Sequence, residues 1–345
     1  MATSAPPTHL IVGDRRHGVT EYATDLADAV DRASRGTEIL HVDSAQEALR
    51  ALGAGRRRLH IHVTDALFGA GLDEAARAVG RLTREHDVAL TLHDLPQESD
   101  GPVNVVRRTK AYAAFAEDAV GISVSSHHEA ALFLQHRIGS TSPKVIPLGA
   151  RSVHASPGIS SAAGSTGVEI LMAGYVYPGK GHDEVLAAAA VLAGRDLGPI
   201  RLTVLGGAAP GHEAEARRLA ARAGDTGVHF TVTGYLDRPS YESALAAPGV
   251  PVVAHLHYSA SRSLLDWAEA GRKALVVGMR YTEEMAALRP GTLVLTESDP
   301  LSLADSIERL AGDRRATRLG PGVLLAPSLD DVAAVHLSWW ANLPW

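Results

Sequence analysis

Short apolar runs alternate with alanine-rich amphipathic stretches along almost the whole chain, and the alternation runs through twice. The first series is HLIVG (9–13), TEILHV (37–42), RLHIHV (58–63), VALTL (88–92), VGISVS (120–125) and KVIPL (144–148). Helical spacing fills the gaps, for example over 19–34, 72–86, 104–118 and 127–138. Runs this short and this apolar, separated by helices, predict a parallel sheet covered on both faces. SVHASPGISSAAGSTG (152–167) then breaks the pattern with a Ser/Gly/Ala stretch that has no period, which reads as a linker. Afterwards the alternation restarts with VEILMAG (168–174), IRLTVLGG (200–207), VHFTVTG (228–234), VPVVAHL (250–256), KALVVG (273–278) and TLVLTE (292–297).

The fold class expected is therefore α/β, with two doubly wound Rossmann-like domains facing a cleft. A length of 345 residues exceeds the size at which one core stops growing, about 250–300 residues. The boundaries read as 1–150, a linker over 151–166, and 167–325. The final segment, 326–345, begins after Pro327 with an Asp-rich turn and carries Trp339 and Trp340. It predicts a capped helix that packs back on the first domain.

Composition narrows the function. A net charge of −6 gives no footprint for nucleic acid as the main partner. The absence of cysteine excludes disulfides, zinc–thiolate sites and a Cys nucleophile. MATSAPPTHL has neither a basic leader nor a long apolar run, and nothing approaches the roughly 18 apolar residues of a membrane span, so a cytoplasmic location is expected. RRTKAYAAF (107–115) offers a basic helix face to a membrane surface, with few large apolar residues to insert.

Chemistry concentrates at 170–181, where ILMAG leads into YVYPGKG and then a helix. A helix start presents unpaired N–H groups and partial positive charge, which suit an anion. Gly174, Gly179 and Gly181 allow close backbone approach, and Lys180 adds a full charge. The chain holds only four lysines among 33 basic residues, so Lys180 stands apart from an Arg-preferring composition. The plainer reading of the same residues is a solvated surface turn.

The paired halves, the strand–GYVYPGKG–helix unit, VTGYL (232–236) and SASRSLLDWAEAGRKALVV (259–277) together resemble a nucleotide-sugar-dependent glycosyltransferase of the GT-B fold. The chain is most similar to a divergent branch of retaining family 4. GDRRHGVTEYATDLA (13–27), TLHDLP (91–96), SSHHEAALFL (125–134) and VIPLGA (145–150) add similar segments in the right order. The resemblance implies a hexosyltransferase that moves a sugar from a nucleoside-diphosphate donor to a hydroxyl-bearing acceptor, small molecule or glycan. It further implies retention, with no metal and no cofactor. Charge growing on the departing phosphate must be met by cations or N–H groups. The family uses an Arg and a Lys after the first strand of the second domain. Lys180 matches the Lys, while the Arg position is Tyr175, and Arg262 is the candidate to compensate.

SASRSLLDW opens a helix with small polar residues: Ser259, Ser261 and Ser263 are candidates to cap it, its N–H groups would face the diphosphate, and Leu264 joins them as a donor-side candidate. The family's two glutamates, for donor sugar and ribose, fall on Tyr258 and Asp266. A competing reading has Asp266 pairing with Arg262 one helical turn back. Gly234, Tyr235 and Leu236 occupy the place where the family holds the nucleobase through main-chain groups. In the first domain, His17 and Gly18 fall in the loop lining the cleft, and His93 and Asp94 follow a strand end where the family contacts the donor sugar. His93, Asp94 and Lys180 are thus the catalytic candidates, with no nucleophile among them.

Other signals carry less. His60/His62 and His255/His257 have H-x-H spacing, which places both rings on one face of a strand, the second pair beside the proposed donor site. No D-x-D occurs, and G-A-G at 69–71 does not follow a strand as a dinucleotide fingerprint must. Two rival readings stand beside the transferase: a GT-B-like nucleotide-sugar epimerase, and a non-catalytic sugar-nucleotide binder suggested by Tyr175 and Tyr258.

Overall fold

The computed structural model describes residues 5–152 and 167–345. Residues 153–166, which carry most of the expected linker, lie outside the described residues. Two compact units emerge. Unit 1 is residues up to Arg151 together with Ala326–Trp345, and unit 2 is Ser152–Leu325.

Unit 1 holds strands β1 (Thr8–Val12), β2 (Ile39–Val42), β3 (Arg58–Val63), β4 (Asp87–Leu92), β5 (Gly121–Val124) and β6 (Lys144–Val145). Its helices are α1 (Gly18–Ser34), α2 (Ala45–Leu52), α3 (Leu72–Glu85), α4 (Pro102–Ala116) and α5 (His127–Gln135). The sheet is parallel, in the order β2-β1-β3-β4-β5-β6. β6 is shorter than its apolar run because Pro147 has no N–H to continue the ladder, although Ile146 still donates to the Val124 carbonyl at 2.9 Å.

Unit 2 has β7 (Val168–Ala173), β8 (Ile200–Leu205), β9 (Val228–Val232), β10 (Val250–Val253), β11 (Ala274–Val277) and β12 (Leu293–Thr296). Between them run α6 (His182–Ala193), α7 (Glu213–Asp225), α8 (Arg238–Ala246), α9 (Arg262–Glu269), α10 (Arg280–Leu288) and α11 (Pro300–Gly312). The strand order is β12-β11-β10-β7-β8-β9, again parallel. One face of these strands packs against the apolar stripes of α6 and α11, and the other against Leu245 of α8, Leu264 and Trp267 of α9 and Tyr281 and Met285 of α10.

Helix α12 (Leu329–Trp340) belongs to unit 1 although its sequence follows unit 2. Ser328 caps it: its Oγ accepts from Asp331 N at 3.1 Å, and the Asp331 carboxylate accepts from Ser328 N at 2.8 Å. Ala150 and Leu329 exchange backbone bonds across the return, with Ala150 N on Pro327 O at 2.9 Å and Leu329 N on Ala150 O at 2.8 Å. The helix packs beside α1, over a sheet face carrying His9, His60 and His62, which α12 extends with His336. His9 and His60 are register partners, and ring centroids step 5.3 Å from His9 to His60, 4.8 Å to His62 and 5.1 Å to His93. Trp340, 2% exposed, lies edge-on to His9 and tilted against His60 and His336.

Burial holds these imidazoles neutral. It lowers His9 to about 3, and His93 and His336 to about 4, with His60 and His62 also well below 6.5. Unfolded rings bind protons near pH 6.5 that the folded ones refuse, so their contribution to stability is full above pH 6.5 and is lost as pH falls toward 4. His9, His93 and His336 then each cost roughly 2 kcal/mol between pH 7 and pH 5. Urea unfolding followed by tryptophan fluorescence should accordingly show a sharply lower midpoint at pH 5 than at pH 7, and equal midpoints would mean the rings are already charged or solvated. Trp340→Ala should cost about 3–5 kcal/mol in the same assay at pH 7.

Candidate functional site

Unit 2 reverses its strand order between β7 and β10, and the loops leaving these neighbours at their carboxyl ends must part to opposite sides. Such a reversal leaves a crevice where ligands of doubly wound sheets bind. Here the two loops are tied together, because Leu256 N donates to Gly179 O at 2.9 Å. That tie ends β10 at Val253, short of the 250–256 run that its apolar pattern suggested. Gly181 holds the junction close: its φ is +84°, and a Cβ there would run into the Ala254 carbonyl.

Lys180 lies in this junction. Its ammonium rests against the bare α-carbon of Gly174, where an added Cβ would stand 3.3 Å from Nζ. The Tyr177 ring centroid is 5.7 Å from Nζ. Among the described residues no carboxylate comes within ion-pair distance of this ammonium. Burial lowers Lys180 to about 8, opposed by the more distant charge of Asp266. Immediately after it, His182 begins α6 and is 4% exposed, with Nδ1 unpartnered. From the β10 loop, His255 is 6% exposed, and its ring lies 5.2 Å from that of Tyr258. A cavity of about 260 Å³ opens beside the junction, lined by Tyr177, Gly179, His182, Asp183, Arg218 and Leu256. Asp183 is ion-paired to Arg218 and Arg222, and the Arg218 hydrogen bond is the main reason its carboxyl is held low.

The Ser-rich segment after β10 is arranged differently from the sequence expectation. Ser261 occupies the N-cap of α9 without capping it: its Oγ meets Ser263 Oγ at 2.9 Å, and its backbone N–H goes to the Tyr281 hydroxyl at 2.9 Å. Ser259 is half-buried in the loop before it, and Leu264 points into the core with Trp267. Tyr258 is 1% exposed, donates to Val253 O at 3.2 Å and stacks on Tyr281. Arg262 is engaged by its own helix, with Nε on Asp266 at 2.9 Å and an Nη on Glu269. Asp266 also accepts from the Tyr241 hydroxyl at 3.2 Å. The structure thus places Arg262 as a partner of two carboxylates rather than as a lone cation, and Asp266 as a largely buried acceptor rather than an exposed helix residue.

Other donor-side candidates sit on the same edge of the sheet. Gly234 N donates to Gly206 O at 3.0 Å, and Tyr235 beside it is 61% exposed. Leu236 packs against the Tyr258–Trp267 cluster, and Tyr175 is half-buried directly after Gly174.

In unit 1, His17 caps α1 by accepting from Val19 N at 3.2 Å, with Gly18 exposed next to it. Burial lowers His17, and the charge of Asp94 opposes that. The His93 ring stacks on His62, with Nε2 to Nδ1 at 2.8 Å. Tyr112 donates to the His93 carbonyl at 2.7 Å. Asp94, left-handed at φ +55°, accepts from Arg108 at 2.7 Å, and Arg108 also holds Asp65 and Asp100. The structure therefore brings His17, His93 and Asp94 together through electrostatic contact, and it orients His93 and Asp94 through His62 and Arg108, which the sequence did not flag for that purpose. Arg16 of the same loop is paired with Asp14.

The chain has structural relatives at low sequence identity. Sucrose-phosphate synthase from Thermosynechococcus elongatus is 16% identical, with a TM-score of 0.66 over 97% of this chain and 95% of that one. Anabaena HepE in complex with UDP and glucose is 14% identical, with a TM-score of 0.64 over 96% and 95%. The pneumococcal O-GlcNAc transferase GtfA in complex with UDP and GlcNAc is 14% identical, with a TM-score of 0.55 over 86% of this chain and 58% of that one. No family model and no curated protein sequence matches the chain. The likenesses show the fold, which is GT-B.

Removing Arg262 takes away an ion-pair partner of Asp266 and of Glu269, which are 11% and 14% exposed. Arg262→Ala should therefore lower the unfolding free energy by about 3 kcal/mol. A urea midpoint matching wild type would show that the network does not hold α9.

Proposed function

We propose that this chain is a glycosyltransferase that moves a sugar from a nucleoside-diphosphate donor to an acceptor hydroxyl, with retention and without a metal ion. One observation carries the reading: an ammonium with no ion-pair partner among the described residues is fitted against a bare glycine α-carbon at the reversal point of a parallel sheet. An ion pair within the protein would satisfy such a charge, whereas an incoming diphosphate supplies the missing anion. UDP in the HepE and GtfA structures, which share this fold, supports the nucleotide class.

In this reading Lys180, assisted by the first amides of α6, takes the charge that grows on the β-phosphate as its bond to sugar carbon 1 breaks. The acceptor oxygen bonds to the same carbon on the same face, and its proton passes to a departing phosphate oxygen. Exposed Tyr235 and the Gly234–Leu236 backbone take the base, and Asp266 is the acceptor nearest in kind to a ribose ligand. His93, whose Nδ1 has no partner among the described residues, is assigned to a sugar or acceptor hydroxyl, with Asp94 fixing the loop behind it. Tyr258 favours a second reading, a non-catalytic sugar-nucleotide binder. It sits where a family carboxylate is expected, yet its hydroxyl is turned to Val253 O inside the core.

A panel of UDP, GDP and ADP sugars with simple hydroxyl acceptors, assayed with EDTA present, tests the proposal. Donor breakdown or transfer should occur, and Lys180→Met should weaken nucleoside-diphosphate binding at least about tenfold. Binding without turnover across the panel supports the binder instead. Unaltered binding in Lys180→Met would remove the lysine, and with it the proposal.

A further inference from the structure

Resting on that reading, we infer that His255 is a second charge carrier of the donor site: it takes up a proton from solvent as the diphosphate binds and shares the anion with Lys180. The argument begins with what the crevice lacks. The two positions from which a guanidinium was expected do not supply an open one. Tyr175 occupies the first, and Arg262 is held along α9 by Asp266 and Glu269. Two phosphates bring more negative charge than one ammonium offsets.

His255 lies at the right place to complete the balance. It follows β10, across the order reversal from Lys180, in a loop tied to the Lys180 loop by the Leu256–Gly179 backbone bond. His255 is 6% exposed, and its backbone bonds the Tyr258 hydroxyl, while its ring makes no hydrogen bond among the described residues. Neither ring nitrogen is among the fully buried unpartnered atoms, so both stay open to water or a ligand. His182, also buried and with Nδ1 unpartnered, adds another open nitrogen at the start of α6.

The charges facing His255 explain why it waits neutral. Burial is the first cause that lowers it, followed by Lys180 from the β7 loop, His182 from α6 and His257 from its own loop. Tyr258, backed by Tyr281 of α10, packs against the ring as a neutral phenol. Carboxylates act one step away: Asp266 of α9 on Lys180, and Asp183 and Glu215 on His182. Burial first, and then the Lys180 ammonium, keeps the ring neutral. A diphosphate reverses the sign of that field, and the proton returns. Affinity should then rise as pH falls through neutrality, by a term that belongs to His255.

Isothermal titration calorimetry of the full chain with UDP, GDP and ADP reads this directly. Titrations at pH 7 in two buffers of different ionisation enthalpy give the protons taken up per nucleotide. At pH 7 Lys180 is already mostly charged, so it adds little. Wild type should take up at least about half a proton, and His255→Gln should lose that uptake. The variant should bind about threefold or more weakly at pH 6.5 and match wild type by about pH 9. His182→Gln should retain the uptake. Binding with no proton uptake in wild type overturns the inference and leaves the glycosyltransferase reading intact, and this result needs no folded variant. An affinity gap for His255→Gln that stays constant with pH also overturns it, since a purely structural role predicts that. Absence of binding by all three nucleotides overturns the glycosyltransferase reading itself, and this inference with it.

Discussion

A parallel sheet whose strand order reverses cannot close over its own carboxyl edge at the reversal, because the two loops there must leave in opposite directions. The candidate site of unit 2 follows from that constraint. The chain narrows the gap rather than filling it: Gly181 admits the Ala254 carbonyl, Gly179 accepts from Leu256, and Gly174 makes room for the Lys180 ammonium. Side chains at any of these glycines would push the loops apart or displace the charge. Lys180, His182 and His255 converge because the backbone converges first.

Cations elsewhere in the chain are used differently. Arg108 binds three aspartates and fixes the loop after β4, Arg262 pairs with two carboxylates of its own helix, and Arg218 joins Asp183 to Glu215. A planar guanidinium is suited to bridging carboxylates. Where arginine outnumbers lysine so heavily, the ammonium fitted into the loop junction against Gly174, with no carboxylate at ion-pair distance among the described residues, is the informative one.

Unit 1 is organised by a different interaction. Its sheet turns a row of neutral imidazoles toward α1 and α12, and Trp340 packs among them. Histidines satisfy such a face only while uncharged, so the attachment of the C-terminal helix and the orientation of His93 share one protonation state. His93 depends on His62 for its ring plane, and His62 lies within the same row.

Much of this was legible before any coordinates. Apolar runs bounded by turns located the twelve strands of the described residues, and the Asp-rich start of 328–345 located α12, because burial on two faces and helix capping are local requirements that leave local marks. The GYVYPGKG loop was legible for the same reason: positive φ and a lone lysine are written in residue types. By contrast, the three aspartates that converge on Arg108, the inward turn of Tyr258 and the row of histidines drawn from β1, β3, β4 and α12 were decided only in three dimensions. Each depends on which distant segment arrives beside it, whereas the Arg262–Asp266 pair, one helical turn apart, was already among the readings of the sequence. The sequence by itself determined where strands, turns and the lysine of the Gly-rich loop would be. The tertiary structure alone decided which distant charges cancel one another, since electrostatic contact falls off with distance in space and not along the chain.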